Sequence, residues 1–257
     1  MPLISVVTSV YNGEAFLKEC VDSVLNQTFQ DFEYIILNNG STDRTPEILA
    51  KYKDPRLLII QQENLGIARS LNKGIHMANS EIIARLDADD FSDPNRLEKQ
   101  INFMSQHPEI VLCGSRFNVL LGSDYIDYPI RSLEGDEAIR KSMSCFNPFS
   151  HSTVVFRKAA FIQSGGYSEK FIFGQDYELW SRLLDYGEGY ILKDELSTIR
   201  LSEQSTSNIN SKALRIESLR IRWAAFRKFG GNPGEVFYHF LKSLIGLFIP
   251  PESPFKK

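Results

Sequence analysis

A chain of 257 residues, 42% hydrophobic and 24% charged, can bury a full core and has the make-up of an ordinary globular protein. A net charge of −3 gives no reason to expect nucleic acid as a partner. Three separated cysteines, Cys20, Cys113 and Cys145, form no C-x-x-C pair or Cys/His cluster, which argues against zinc and for a reducing, cytoplasmic setting.

The chain opens on Leu3–Val10, β-rich and nearly continuously apolar, without the regions of a signal peptide. Glu14–Gln27 then places Leu17, Val21, Val24 and Leu25 on one helical face. Glu33–Leu37 is a second strand, and Asn38-Asn39-Gly40-Ser41-Thr42-Asp43 a turn. A helix follows, opened by Thr45 with Pro46 at its first position. Arg56–Gln61 reads as a strand, Gly66–Ala78 as a helix and Glu81–Leu86 as a strand. Pro94 starts a helix that carries Leu97, Ile101 and Met104 inward. Strands alternating with helices imply a mostly parallel sheet with helices on both faces, and ligands bind such sheets beyond the carboxyl ends of the strands. Val10-Tyr11-Asn12, Asn38-Asn39-Gly40 and Asp87–Asp90 all fall at such ends.

The second half is less regular. Ile110–Phe117 is expected as a strand, followed by a variable stretch to about Arg131, a helix over Glu134–Met143 and a strand over His151–Arg157. Asp176–Tyr186 is expected as a helix burying Leu179, Trp180, Leu183 and Leu184. After about Asn208 a basic helical stretch, Lys212 to Lys228, ends at Gly230-Gly231-Asn232-Pro233. An apolar-rich helix, Val236–Ile249, is stopped by Pro250-Pro251. No apolar stretch reaches the length of a membrane span.

The chemistry concentrates in Leu86-Asp87-Ala88-Asp89-Asp90. Three acids within four residues at a strand end repel one another, and a bound cation would relieve this. Hard oxygen ligands suit Mg²⁺ or Mn²⁺, ions that commonly bridge a carboxylate to substrate phosphates. The alternative is a solvated acidic turn capping the helix near Pro94.

Five motifs stand in a fixed order: Ser5-Val6-Val7-Thr8-Ser9-Val10-Tyr11-Asn12, Gln27-Thr28-Phe29, Asn39-Gly40-Ser41-Thr42-Asp43, Asp87-Ala88-Asp89-Asp90 and Gly174-Gln175-Asp176-Tyr177-Glu178-Leu179-Trp180. Together, over about residues 3 to 200, they resemble glycosyltransferase family 2, inverting enzymes of GT-A fold that use nucleotide-diphospho-sugars. The resemblance implies an α/β, Rossmann-like sheet over residues 1–205, with a donor-binding half to about 115, an acceptor-binding half beyond it, and a helical C-terminal extension over 206–257. It implies that backbone at Thr8 and Val10 with the Tyr11 ring holds the nucleobase, that Asn39 meets the base edge, and that Arg69 lies near base or phosphates. It also implies that Asp87 contacts ribose or metal waters beside Ala88, and that Asp89 ligates Mn²⁺ or Mg²⁺.

Asp176 takes the place of the family's catalytic base; alternatively it is a helix N-cap, a role worth about 1 kcal/mol. His151 is expected either to reach donor phosphates or acceptor, or to make structural hydrogen bonds. Two departures are visible. Asn39 stands where the family usually has Asp, which leaves uracil or thymine readable because an amide both accepts and donates, and the flipped amide would serve cytosine instead. Gln175 replaces a frequent acid.

The implied reaction transfers a sugar from a nucleotide-diphospho-sugar, a uridine one by the Asn39 reading, to a saccharide or lipid-linked saccharide in the synthesis of a surface polysaccharide such as capsule, O-antigen or exopolysaccharide. The tail is expected either to touch the inner membrane face through 212–249, its basic run beside an apolar helix, or to pack on the catalytic domain or a second copy. A phosphotransferase with an aspartyl nucleophile is disfavoured because the first strand ends in Tyr11-Asn12-Gly13. A nucleotide-sugar-binding or scaffolding protein that has lost activity is the non-enzyme alternative.

Overall fold

The computed structural model describes residues 2–127, 133–201 and 211–248. Strands β1 (Ile4–Val10), β2 (Phe32–Asn39), β3 (Leu57–Gln62) and β4 (Ile82–Arg85) lie parallel in the order β3-β2-β1-β4. Helices α1 (Leu17–Leu25), α2 (Thr45–Leu49) and α3 (Ile67–Met77) connect them. Side-chain alternation sends Val7, Ile35 and Leu37 into the core under α3, and Ile4, Val6 and Ile36 into the core under α1. A strand buried on both faces reads as a continuous apolar run, which is why β1, β2 and β4 are visible in the sequence.

The second half contributes β5 (Phe91–Ser92), β6 (Ile110–Leu121), β7 (Asp124–Ile126), β8 (Val155–Arg157) and β9 (Glu188–Leu201). They extend the sheet as β4-β8-β6-β9-β5, with β7 paired to β6. β8 runs antiparallel to β4 and β6, β9 runs parallel to β6, and β5 runs antiparallel to β9. The result is a mixed, mostly parallel sheet flanked by α4 (Arg96–Gln106), α5 (Asp136–Ser142), α6 (Lys158–Gln163) and α7 (Gln175–Leu183), then α8 (Ser211–Phe229) and α9 (Pro233–Phe248). Close helix–sheet contact needs Gly74, where a Cβ would stand 2.5 Å from Leu37 Cδ1 and 2.9 Å from Val7 Cγ1.

Several expectations change. Helix α1 starts at Leu17 rather than Glu14, because the N–H groups of Asn12, Gly13 and Glu14 go to Ser41 Oγ, Thr45 Oγ1 and Asp43 Oδ2. His151 does not begin a strand: His151–Thr153 is a 3₁₀ turn in which Thr153 N and Oγ1 both donate to Ser150 O, and the strand is Val155–Arg157. β5, β7, α6 and the long β9 escaped the sequence reading. The expected ends of the variable stretch near Arg131, the change of character near Asn208 and the stop at Ile249-Pro250-Pro251 lie outside the described residues. Among the described residues no helix is long and apolar enough to cross a membrane.

Candidate active site

The loop after β1 is braced by the loop after β2. Asn12 adopts φ 53°, and its Oδ1 accepts from Thr42 N at 2.8 Å. With the three N–H bonds above, this fastens residues 12–14 to 41–45. Gly40, at φ 79°, has no room for a side chain, since a Cβ would lie 2.7 Å from Asn64 N. Asn39 is buried, and its Oδ1 accepts from Gln62 Nε2 at 2.9 Å and Leu65 N at 3.0 Å. Its Nδ2 donates to Asn64 Oδ1 at 3.3 Å. The Asn39 amide therefore holds the loop between β3 and α3.

The acid run is unequally compensated, which corrects the expectation of three unpaired carboxylates. Asp87 Oδ1 receives Arg85 Nη2, and Asp87 Oδ2 lies 3.3 Å from His151 Nδ1. Burial alone would raise this carboxyl; the charges of His151 and Arg85 outweigh it and hold Asp87 well below the usual range. Asp90 is buried beneath the loop, accepting from Arg200 N at 2.8 Å and from Ser152 Oγ, and burial with the charges of Asp89 and Asp87 keeps it well above the ordinary value. Asp90 is thus a support of the loop.

Asp89 has no ion pair among the described residues, although Arg200 Nε donates to its main-chain oxygen at 3.1 Å. Burial and the Asp87 charge push its carboxyl up to about 6. This is the environment a cation would relieve. Among the described residues no three His, Cys, Asp or Glu side chains form a metal cluster. The donor set therefore fits an ion held by one carboxylate together with substrate phosphates, a coordination habit of Mg²⁺.

His151 joins this loop to the second half. Arg85 Nε donates to its Nε2 at 3.0 Å, Tyr167 Oη meets the same nitrogen at 2.7 Å, and the ring centroid lies 5.9 Å from that of Trp180 on α7. One turn earlier on α7 stands Asp176. The N-cap is Gly174, so Asp176 is not the cap; its Oδ2 accepts from Asn147 Nδ2 at 2.9 Å. Burial raises its carboxyl above the ordinary range, the Asp87 charge adds to this, and the His151 charge, the Tyr177 amide and Asn147 pull the other way. Asp87, His151 and Asp176 thus share one electrostatic environment.

The remaining expected donor contacts are placed as follows. Tyr11 stands at the end of β1 with 54% of its surface exposed. The Thr8 side chain is internal, donating to Leu86 O at 2.8 Å, and Val10 is buried. Ala88 packs partly against the α1 core. Arg69 lies on the surface of α3 in an ion pair with Glu169 at 2.6 Å, both side chains more than half exposed, a pairing worth little by itself. Sequence reasoning missed Arg85, Arg96, Arg200, Ser152 and Asn147. Arg85 alone left a signal, a cation inside an otherwise apolar strand.

The strands and helices form an α/β sheet of GT-A architecture, shared with solved structures at TM-scores of 0.68 and 0.70. The Glycosyl transferase family 2 model matches residues 5–164, and the chain belongs to that family. It is 31% identical over 205 residues to the amylovoran biosynthesis glycosyltransferase AmsE of Erwinia amylovora, covering 77% of this chain and 76% of AmsE. It is 30% identical over 258 residues to EpsE of Bacillus subtilis, provisionally named a glycosyltransferase, covering 97% of this chain and 90% of EpsE. Among solved structures, Staphylococcus aureus TarS 1–349 in complex with UDP superposes with a TM-score of 0.70 at 18% identity, over 96% of this chain and 72% of TarS 1–349. The mannosyltransferase PcManGT of Pyrobaculum calidifontis, in complex with GDP-Man and Mn²⁺, superposes with a TM-score of 0.68 at 17% identity, over 97% of this chain and 70% of PcManGT.

Proposed function

We propose that the protein is a metal-dependent inverting glycosyltransferase. It would move a sugar from a nucleotide-diphospho-sugar, UDP-linked, to a saccharide or lipid-linked saccharide in the synthesis of a surface polysaccharide. One observation carries the reading: Asp176, partly buried and held by Asn147 Nδ2, shares an environment with His151 and an acidic loop whose middle member, Asp89, has no ion pair among the described residues. AmsE, named for amylovoran biosynthesis, supports the polysaccharide assignment.

The chemistry is a direct displacement. As the acceptor oxygen bonds to the anomeric carbon, the bond to the diphosphate breaks, and Asp176 takes the acceptor's hydroxyl proton. Asn147, bonded to Asp176 Oδ2, fixes the carboxylate that receives it. Asp89 would hold Mn²⁺ or Mg²⁺, which supplies charge compensation at the departing diphosphate. Tyr11 offers an exposed ring for a base to stack on. The uridine assignment rests on the ability of the Asn39 amide to accept an imide N–H and donate to its neighbour; binding a base there has to exchange the bonds to Gln62 and Leu65.

Calorimetric titration with UDP, GDP, CDP and dTDP, with and without Mn²⁺, tests this. One diphosphate should bind tightly only with metal, and Asp89→Ala should remove the metal-dependent part. Absence of metal-linked binding in a folded sample returns the chain to a non-catalytic scaffold.

A membrane contact through 212–249 is proposed beside this. Residues 211–257 hold nine Lys and Arg against three Asp and Glu, in a chain whose net charge is −3. Trp223, Phe237, Tyr238 and Leu241 stand exposed along α8 and α9. Aromatic and apolar side chains beside a basic run suit an anionic lipid surface. Flotation should carry the protein with phosphatidylglycerol-containing vesicles, less so at high salt, and not with pure phosphatidylcholine. Phe237→Ser combined with Leu241→Ser should abolish it. Retention by both lipids, or by neither, would sink the idea.

A further inference from the structure

We infer that Glu217, on α8, is a positioning residue for the base, a role that rests on the reading of Asp176 given above. Its carboxylate accepts from three consecutive main-chain N–H groups: Ile172 at 2.9 Å on Oε1, and Phe173 at 2.9 Å and Gly174 at 2.8 Å on Oε2. Gly174 is the N-cap of α7, and Asp176 stands two residues on.

The physical need is plain. The N–H groups at a helix start have no partners within the helix, and α7 has no capping side chain of its own. Glu217 meets the N–H of the N-cap Gly174 and of the two residues before it, and an anion at that end is favoured by the helix dipole. Here it arrives from a different helix, 43 residues further along the chain than Gly174. Charge-assisted bonds to a carboxylate are stronger than neutral ones, so three in succession fix the backbone that leads into Asp176.

The brace itself is firmly seated. Ile221 and Ala225, four and eight residues beyond Glu217 on the same face, are buried in the core under α7. A Cβ on Gly174 would stand 2.8 Å from Ile221 Cδ1 and 3.6 Å from Glu217 Oε2, so α8 lies against the bare backbone of the loop. At its far end Lys228 Nζ donates to Ser181 O at 2.6 Å and pairs with Asp185 at 2.6 Å. Helix α8 is therefore fastened along α7 at both ends, and its Glu217 end holds the loop that leads into the base. Displacing a reacting group by about 1 Å can cost roughly 100-fold in rate, so an anchor two residues from a base is expected to govern turnover.

The test compares Glu217→Gln, Glu217→Asp and Lys228→Met with wild type and Asp176→Asn. Nucleoside diphosphate release is followed from UDP-glucose, UDP-N-acetylglucosamine and GDP-mannose with Mn²⁺, water taking the sugar as acceptor, and amide exchange is read over 172–176. Glu217→Gln should lower kcat about 10- to 100-fold while the affinity for the matching diphosphate stays unchanged, and amides 172–174 should lose protection. Glu217→Asp keeps the charge, shortens the reach and should fall between. Lys228→Met should lower the Tm and leave kcat and exchange at 172–174 as in wild type. Unchanged exchange or unchanged kcat in Glu217→Gln overturns the role, as does an equal loss of kcat in Lys228→Met. Full turnover by Asp176→Asn removes the base reading and this role with it. An inactive Asp176→Asn beside a fully active Glu217→Gln removes this role alone.

Discussion

Asp176→Asn is expected to slow sugar transfer by about 1,000-fold while leaving nucleotide binding and the fold intact, the scale on which a positioned general base acts. The amide has nearly the shape of the carboxylate and can still accept from Asn147, so what is removed is the capacity to take a proton. The pH dependence follows from the direction of the shift. Burial and the Asp87 charge raise the Asp176 carboxyl above its ordinary range. The base works only when deprotonated, so kcat/KM should fall on the acid side at a pH higher than an ordinary carboxylate would give. Asn147→Leu removes a bond to the charged form and should move that acid limb higher still. The stability sign is the opposite of the catalytic one. A carboxyl with a raised folded-state value binds its proton more tightly folded than unfolded, so its ionisation costs stability at neutral pH. Asp176→Asn should therefore have a Tm equal to or above wild type, measured at neutral pH. A lowered Tm with proportionate loss of activity would show instead that the residue serves the fold.

The parts of this fold visible in the sequence are those where one physical rule dominates. Strands β1, β2 and β4 are buried on both faces, so Ile4–Val10 and Phe32–Asn39 announce themselves as apolar runs. Helix α3 was bounded to one residue at each end, because Gly66 and Ala78 are its caps. What escaped is structure decided by distant partners. β9 alternates irregularly between exposed and buried positions and shifts register against β6, so no period of two survives in its sequence. His151 sits in a β-rich string, yet Ser150 O draws in both Thr153 donors and turns the chain. The candidate site shows the same division. The acid run was legible as a charge anomaly, whereas its compensation by Arg85, His151 and Arg200 was not, since Arg200 lies 110 residues from Asp90. Nor does sequence spacing reveal that the Asn39 amide is spent on residues 62–65.

Arg85→Met is expected to cost about 3–5 kcal/mol, the range measured when one member of a buried ion pair is removed and its partner stays charged. Arg85 is 0% exposed, and its guanidinium donates to Val7 O, Leu86 O, Asp87 Oδ1 and His151 Nε2. Methionine fills much of the volume but supplies no donor, so Val7 O loses this bond while Leu86 O keeps Thr8 Oγ1 at 2.8 Å. Two effects temper the loss. The Asp87 side chain is 29% exposed and can recruit water. Arg96, whose guanidinium is brought down to about 9 by burial and by the nearby Arg85 charge, is relieved of a like neighbour. The cost should therefore fall nearer the lower end of the range. Urea denaturation at neutral pH reads it as a lowered midpoint at unchanged slope. Adding Asp87→Asn to Arg85→Met removes the stranded charge and should recover part of the loss, giving a favourable coupling in the double-mutant cycle. If the two changes are simply additive, the Arg85–Asp87 pair is not what holds the loop. The acid run would then owe its position to its other partners, Arg200, Ser152 and His151.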